Sequence, residues 1–490
     1  VDRQGSENYE IFVQSVGGAP VSTGITTSTG GAEWAKDSAT LFWTERDENQ
    51  RPYAVYAKNI DDAQTRARLI YKESDPGFFV SVSESDSGNF IEISAHNHTT
   101  SEIRLVPAAT PFETPVCFSP RKEGREYSLH EQGGNFYILT NAGGAVDFRI
   151  MSRAVDAPQA EWADFIPHTP GTLIIGAEAY KDYLVWLVRE NALPKIIIHD
   201  MRSGDQHEIA LDEPAYALGL AGGFEYDTPW LRFGYSSPTT PHPTFDYHMD
   251  TRERTLRKTQ TVPSGHTPED YTAERIMITG RDGASIPVTL VMRADTPKDS
   301  TSPLLLYGYG SYGITIPAGF RTSILSLVDR GFVYAIAHIR GGMAGGYQCD
   351  LDGTPENKED TVADVVAARV AEWGLLPVSA EEALDADRGG QHRRYMVHGT
   401  SHHLGIDVHD CAQARREMYY DGLLEPGMVF TIEPGLYFQI DDLTVPEEYR
   451  GIGVRIEDDI VMTSDGPVNL SAGIPRTADE VEDWIARLSS

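Results

Sequence analysis

Ala335-Ile336-Ala337-His338-Ile339-Arg340-Gly341-Gly342 is an apolar run that stops on two glycines, the pattern of a buried strand passing into a tight turn. Further on, His398-Gly399-Thr400-Ser401-His402-His403-Leu404-Gly405 sets imidazoles among small residues, a metal-site pattern. The stretch between them, Gly341 to Gly390, decides the fold. The chain follows one architecture before it and another after it, and each side carries only part of a chemical site.

Upstream of that stretch, Pro303-Leu304-Leu305-Leu306-Tyr307 and Phe332 to Ile339 read as buried strands, with a short helix from Ser323 to Asp329 stopped near Gly331. Strand, helix, strand with continuous apolar runs predicts a parallel sheet. Earlier still, Ala273 to Thr279 and Ile286 to Met292 flank Gly280-Arg281-Asp282-Gly283, which predicts a hairpin.

The first 260 residues are strand-rich and repetitive. Apolar strand cores lie at Leu41-Phe42-Trp43, Phe90-Ile91-Glu92-Ile93, Phe136-Tyr137-Ile138-Leu139, Tyr183-Leu184-Val185-Trp186 and Leu231-Arg232-Phe233, roughly 46–48 residues apart. Second strands follow at Tyr53 to Tyr56, Glu102 to Leu105, Asp147 to Ile150, Lys195 to Ile198 and Phe245 to Tyr247. Such a period predicts a β-propeller of about five full blades, preceded by the scrap Asn8 to Val13. Stacked sandwiches are the alternative, and the regular period favours the propeller. Trp34, Phe78 and Phe79 are expected to pack between blades.

Tyr307-Gly308-Tyr309-Gly310-Ser311-Tyr312-Gly313, followed by Asp329-Arg330-Gly331-Phe332 and the run to Gly342, resembles the prolyl oligopeptidase family, and within it oligopeptidase B. The resemblance spans residues 1 to about 348. It implies a Ser-His-Asp peptidase of short peptides, cleaving after basic residues, with Tyr309 donating a directed hydrogen bond to a developing oxyanion. The nucleophile elbow of such enzymes requires Gly-x-Ser-x-Gly. Ser311 has Tyr309 two residues before it and fails this test, and no later serine passes it. Without a nucleophile, the simpler reading of Tyr309 is a buried tyrosine at a strand end. Met343-Ala344 and Cys349-Asp350 also depart from the family's acidic residue and Trp-Tyr pair.

Beyond about Val370 come Trp373-Gly374-Leu375-Leu376-Pro377, then His398-Gly399-Thr400-Ser401-His402, Asp407-Val408-His409-Asp410, Glu425-Pro426-Gly427-Met428, Thr431-Ile432-Glu433-Pro434-Gly435 and Gly453-Val454-Arg455-Ile456-Glu457-Asp458. In this order they resemble the pita-bread metallopeptidases, specifically the Xaa-Pro aminopeptidases. That resemblance implies a pair of hard divalent cations activating water, held by oxygen donors and one imidazole. It makes His402, Glu433 and Glu457 metal ligands, with Glu433 also moving the proton. It has His409 stabilise the tetrahedral intermediate, His398 hold substrate and Arg455 pair with neighbouring carboxylates. The family adds two aspartates on an upstream hairpin, and no such pair occurs from Asp350 onwards. The implied cofactor is a divalent metal, manganese first with cobalt or zinc as alternatives, in one weak site rather than two.

The expectation is therefore a multi-domain chain. An incomplete β-propeller spans 1–265, part of an α/β-hydrolase domain 266–348, a seam 349–392, and the C-terminal half of a pita-bread α+β metallopeptidase domain 393–490. With 73 acidic against 41 basic residues and a net charge of −32, the surface repels nucleic acid and anionic membranes. Short peptides are the expected partners, with oligomers forming through exposed truncated sheet edges. No stretch approaches the roughly 18 apolar residues of a membrane helix. The opening residues carry no signal pattern, and a start without Met reads as a fragment or processed product. Three scattered cysteines, Cys117, Cys349 and Cys411, fit a reducing cytoplasm. Three readings stay open: a metallopeptidase with an appended scaffold, a non-catalytic binding or scaffold protein, or two incomplete genes joined by fusion or assembly error.

Overall fold

The computed structural model describes residues 1–346 apart from 3–4, 63–64, 223–224, 281–282, 298–301 and 311–312. Beyond 346 it describes 367, 378–384, 395, 403–404, 428–433, 435–438, 442, 445–447, 450–455, 457–463, 466–472 and 475. No helix among the described residues is long and apolar enough to cross a membrane.

A short pair, β1 (Phe12–Val13) and β2 (Val21–Ser22), precedes five four-stranded sheets. The first holds β3 (Ser28–Trp34), β4 (Thr40–Arg46), β5 (Pro52–Asn59) and β6 (Arg68–Lys72). The second holds β7 (Phe79–Glu84), β8 (Phe90–His96), β9 (Ser101–Pro107) and β10 (Val116–Cys117). The third holds β11 (Tyr127–Gln132), β12 (Asn135–Thr140), β13 (Arg149–Ala154) and β14 (Ala163–Ile166). The fourth holds β15 (Thr172–Ala179), β16 (Tyr183–Glu190), β17 (Leu193–Asp200) and β18 (Gln206–Glu208). The fifth holds β19 (Ala217–Leu220), β20 (Trp230–Ser236), β21 (Pro243–His248) and β22 (Arg254–Thr259).

Each sheet is an antiparallel meander, and the repeating apolar runs of the sequence are its two central strands. β4, β12 and β16 are covered on both faces, which is why their sequences run apolar without alternation, whereas β17 and β20 alternate buried with less buried positions. Packing proceeds from each sheet to the next in sequence. Phe42 and Val55 meet Ile91 and Ile93, and Ile103 meets Leu129 and Ile138. Leu139 and Ile150 meet Leu184 and Trp186, and Val185 and Ile196 meet Leu231 and Phe233. Burying one such side chain is worth about 1.5–3 kcal/mol. Blade-like units clamped by their neighbours are the outcome of the repeat.

Two local expectations need correction. Phe78 is buried with Ile91, but Trp34 and Phe79 are exposed, Trp34 as the last residue of β3 and Phe79 as the first of β7. The strand expected from Asp147 starts at Arg149. Phe148 has φ of +63°, which breaks the extended run, and the buried Asp147 carboxylate instead accepts the Gly171 N–H at 2.8 Å.

After the fifth sheet, β23 (Tyr271–Thr279) and β24 (Ser285–Arg293) form the expected hairpin. β25 (Leu304–Gly308), α1 (Thr322–Val328) and β26 (Val333–Ala337) complete a sheet of order β23-β24-β26-β25. Only β25 and β26 are parallel. The sheet is mixed rather than parallel throughout, because the hairpin enters it antiparallel through β24. The described C-terminal elements are α2 (Ala380–Leu384), β27 (His403–Leu404), β28 (Val429–Ile432), β29 (Gly435–Tyr437), β30 (Gly453–Arg455), β31 (Asp458–Thr463) and β32 (Gly466–Asn469). They form one antiparallel sheet, β27-β28-β31-β32, and the pair β29-β30.

Candidate functional site

Strand pairing assembles the C-terminal carboxylates. In the β28–β31 ladder Ile432 lies opposite Asp458, so the next step along each strand sets Glu433 opposite Glu457. In the β29–β30 pair Gly435 lies opposite Arg455, which brings the guanidinium to the same strand ends. Two carboxylates so placed repel one another. Arg455 answers both: Nη1 is 3.2 Å from Glu433 Oε2, and Nη2 is 3.2 Å from Glu457 Oε2. Glu433 is buried and Glu457 half-buried, while Arg455 is 46% exposed. Thr431 Oγ1 donates to Glu433 Oε1 at 3.2 Å. Both oxygens of Glu433 are therefore held.

Arg455 thus pairs with both neighbouring carboxylates. Thr431 is the contributor that motif reading passed over. Its signal was available, since residues two apart on a strand share a face. His398, His402 and His409 lie outside the described residues. Glu433 and Glu457 are hard oxygen donors that suit a divalent cation. Among the described residues, no group of three His, Cys, Asp or Glu side chains is placed to hold a metal.

Tyr309 directly follows β25 and is half-buried. The backbone beside it packs closely. A Cβ on Gly310 would lie 2.6 Å from Ile339 Cγ1 and against the Arg340 carbonyl, so only glycine fits there. The parallel pairing resumes beyond the strands, with Gly313 N–H donating to Gly341 O at 3.0 Å and Met343 N–H to Gly313 O at 3.1 Å. This fixes the turn at Gly341-Gly342 against Gly313. Ser311 lies outside the described residues.

The prolyl oligopeptidase N-terminal β-propeller domain matches residues 1–260, more than half of the chain. The chain belongs to the prolyl oligopeptidase family. Its C-terminal part matches metallopeptidase family M24 over residues 357–464, beginning inside the stretch read as a seam. The chain is 35% identical to dipeptidyl aminopeptidase BI of Pseudoxanthomonas mexicana over 369 residues, covering 74% of this chain and 51% of that protein. It is 64% identical to Xaa-Pro aminopeptidase 1 of Streptomyces coelicolor over 129 residues, 26% of each. Among solved structures it resembles oligopeptidase B from Leishmania major, with 26% identity and a TM-score of 0.65, over 74% of this chain and 54% of that one. It thus spans about half the length of its oligopeptidase relatives and a quarter of its aminopeptidase relatives. The chain is multi-domain and peptidase-like in both parts, and the M24 match implies a divalent metal site in the second.

Proposed function

We propose that the C-terminal part of this oligopeptidase-family chain is an impaired Xaa-Pro aminopeptidase site, holding at most one weakly bound divalent cation and acting slowly on short peptides. The observation that carries this reading is the Glu433–Arg455–Glu457 bridge. His402, Glu433 and Glu457 would hold the cation, manganese before cobalt or zinc. When bound, the metal supplies Lewis-acid activation of water. Glu433, gripped by Thr431 on one oxygen and Arg455 on the other, is oriented to accept and return a proton. Arg455 already neutralises both carboxylates, so an incoming cation must work against its charge. The absence of an upstream aspartate pair removes the donors that would offset this. Residues 1–346 serve as scaffold, in a reducing cytoplasm consistent with the scattered cysteines.

The test is calorimetric titration with manganese beside an assay on a peptide with proline second. One weak equivalent and release of the N-terminal residue far slower than in a complete relative are expected. Two tight equivalents with brisk release would overturn the reading. A non-catalytic scaffold is the second reading, supported by the sheet that lacks a Gly-x-Ser-x-Gly serine. No manganese binding and no turnover would favour it. Amplification of source DNA across codons 341–392 tests whether one reading frame spans the join.

A further inference from the structure

Three basic groups meet where the fourth sheet faces the hydrolase sheet. Arg189, on β16, donates through Nη1 to Thr315 Oγ1 at 3.4 Å. Arg275, on β23, donates through Nη2 to the carbonyl of Asn191, two residues beyond Arg189. The sheet register sets Arg275 opposite Thr289, and Thr289 opposite Ile336. His338 follows Ile336 by two residues and so shares that face. Thr289 Oγ1 and His338 Nε2 are 3.0 Å apart.

His338 is only 6% exposed, and its Nδ1 has no hydrogen-bond partner, nor does the buried Nε of Arg275. Burial, then the charges of Arg275 and Arg189, push the imidazole down to about 4, so it is neutral near pH 7. With Nε2 accepting from the Thr289 hydroxyl, Nδ1 carries the proton and is a spare donor. Burial also weakens proton binding by both guanidinium groups. Their acceptors are a hydroxyl and a carbonyl, and neither has a carboxylate partner among the described residues. Partly buried charges lacking a counter-ion are costly. They are also out of character in a chain with 73 acidic residues.

We propose that this cluster binds an oxyanion, with Arg189 and Arg275 supplying the charge and His338 Nδ1 a neutral hydrogen bond. A guanidinium presents parallel donors that match a carboxylate or a phosphate. The free carboxylate of a short peptide and inorganic phosphate share this chemistry. The proposal goes beyond the metal reading and shares no residue with it.

The test is calorimetric titration of the full chain with trialanine, trialanine amide and inorganic phosphate. Binding of trialanine or of phosphate is expected, weakened at least about tenfold by Arg189→Gln and by Arg275→Gln. Whichever ligand binds identifies the source, and the amide should lose most of the affinity of the acid. Thermal unfolding of each variant is followed in parallel. Should the Gln variants unfold, Arg275→Lys keeps the charge without the fork and is expected to bind more weakly than wild type. Failure of both anions to bind would overturn the proposal. So would equal binding by wild type and the folded variants, or equal binding of trialanine and its amide with none of phosphate.

Discussion

Glu92 is a carboxyl buried on β8, and its Oε1 has no hydrogen-bond partner. Burial first, then the neighbouring carboxylates of Asp86 and Glu131, push it up to about 8, against the pull of His130. Burial opposes charge on His130 too, but its hydrogen bond to Asp86, 3.1 Å between Nδ1 and Oδ2, raises it overall, aided by Glu92 and Glu178. Both groups bind protons more tightly folded than unfolded. Their stabilisation is complete below the unfolded values and is lost as pH rises through the folded ones. Glu92→Gln removes the carboxylate's share of that loss. Urea unfolding should find the variant more stable than wild type at pH 9 by on the order of 1–3 kcal/mol, with little difference near pH 4. Parallel curves for the two proteins across that range would contradict this account.

The central and outer strands of one sheet should respond differently to truncation. Phe233 on β20 is fully buried between the fourth and fifth sheets. Phe233→Ala removes a large ring from a packed core and should cost about 3–5 kcal/mol. Leu256 on β22 is 55% exposed in a strand that is exposed along its whole length. Leu256→Thr should therefore stay within about 0.5 kcal/mol of wild type. Urea midpoints of the two variants check the contrast, and equal losses would remove the distinction between clamped and outer strands. Central strands such as β4, β12 and β16 were legible because burial on both faces writes itself as an unbroken apolar run, and β20 because its buried Leu231 and Phe233 alternate with exposed positions. Outer strands such as β22, with the sequence Arg254-Thr255-Leu256-Arg257-Lys258-Thr259, carry no such signal and are defined by their neighbour's hydrogen bonds.

At the scale of the whole molecule, the hydrolase sheet offers Tyr309 but no Gly-x-Ser-x-Gly serine after Tyr307. A fluorophosphonate probe is therefore expected to label no single serine. Labelling abolished by one Ser→Ala substitution would show a nucleophile that the pattern misses. The sequence by itself determined the family, the five repeating units, the hairpin and strand–helix–strand that follow, and the change of character beyond Gly341. These rest on local periodicity and on motif spacing, both of which are properties of neighbouring residues. Glu433, Arg455 and Glu457 were likewise legible as residues. Only the tertiary structure decided that the ladders set the two glutamates opposite each other, that one guanidinium bridges them, and that the sheet is mixed. It alone brought Arg189, Arg275 and His338 together between the fourth sheet and the hydrolase sheet. The physical reason is that contacts between residues distant in the chain depend on register and docking, and no short stretch of sequence encodes those.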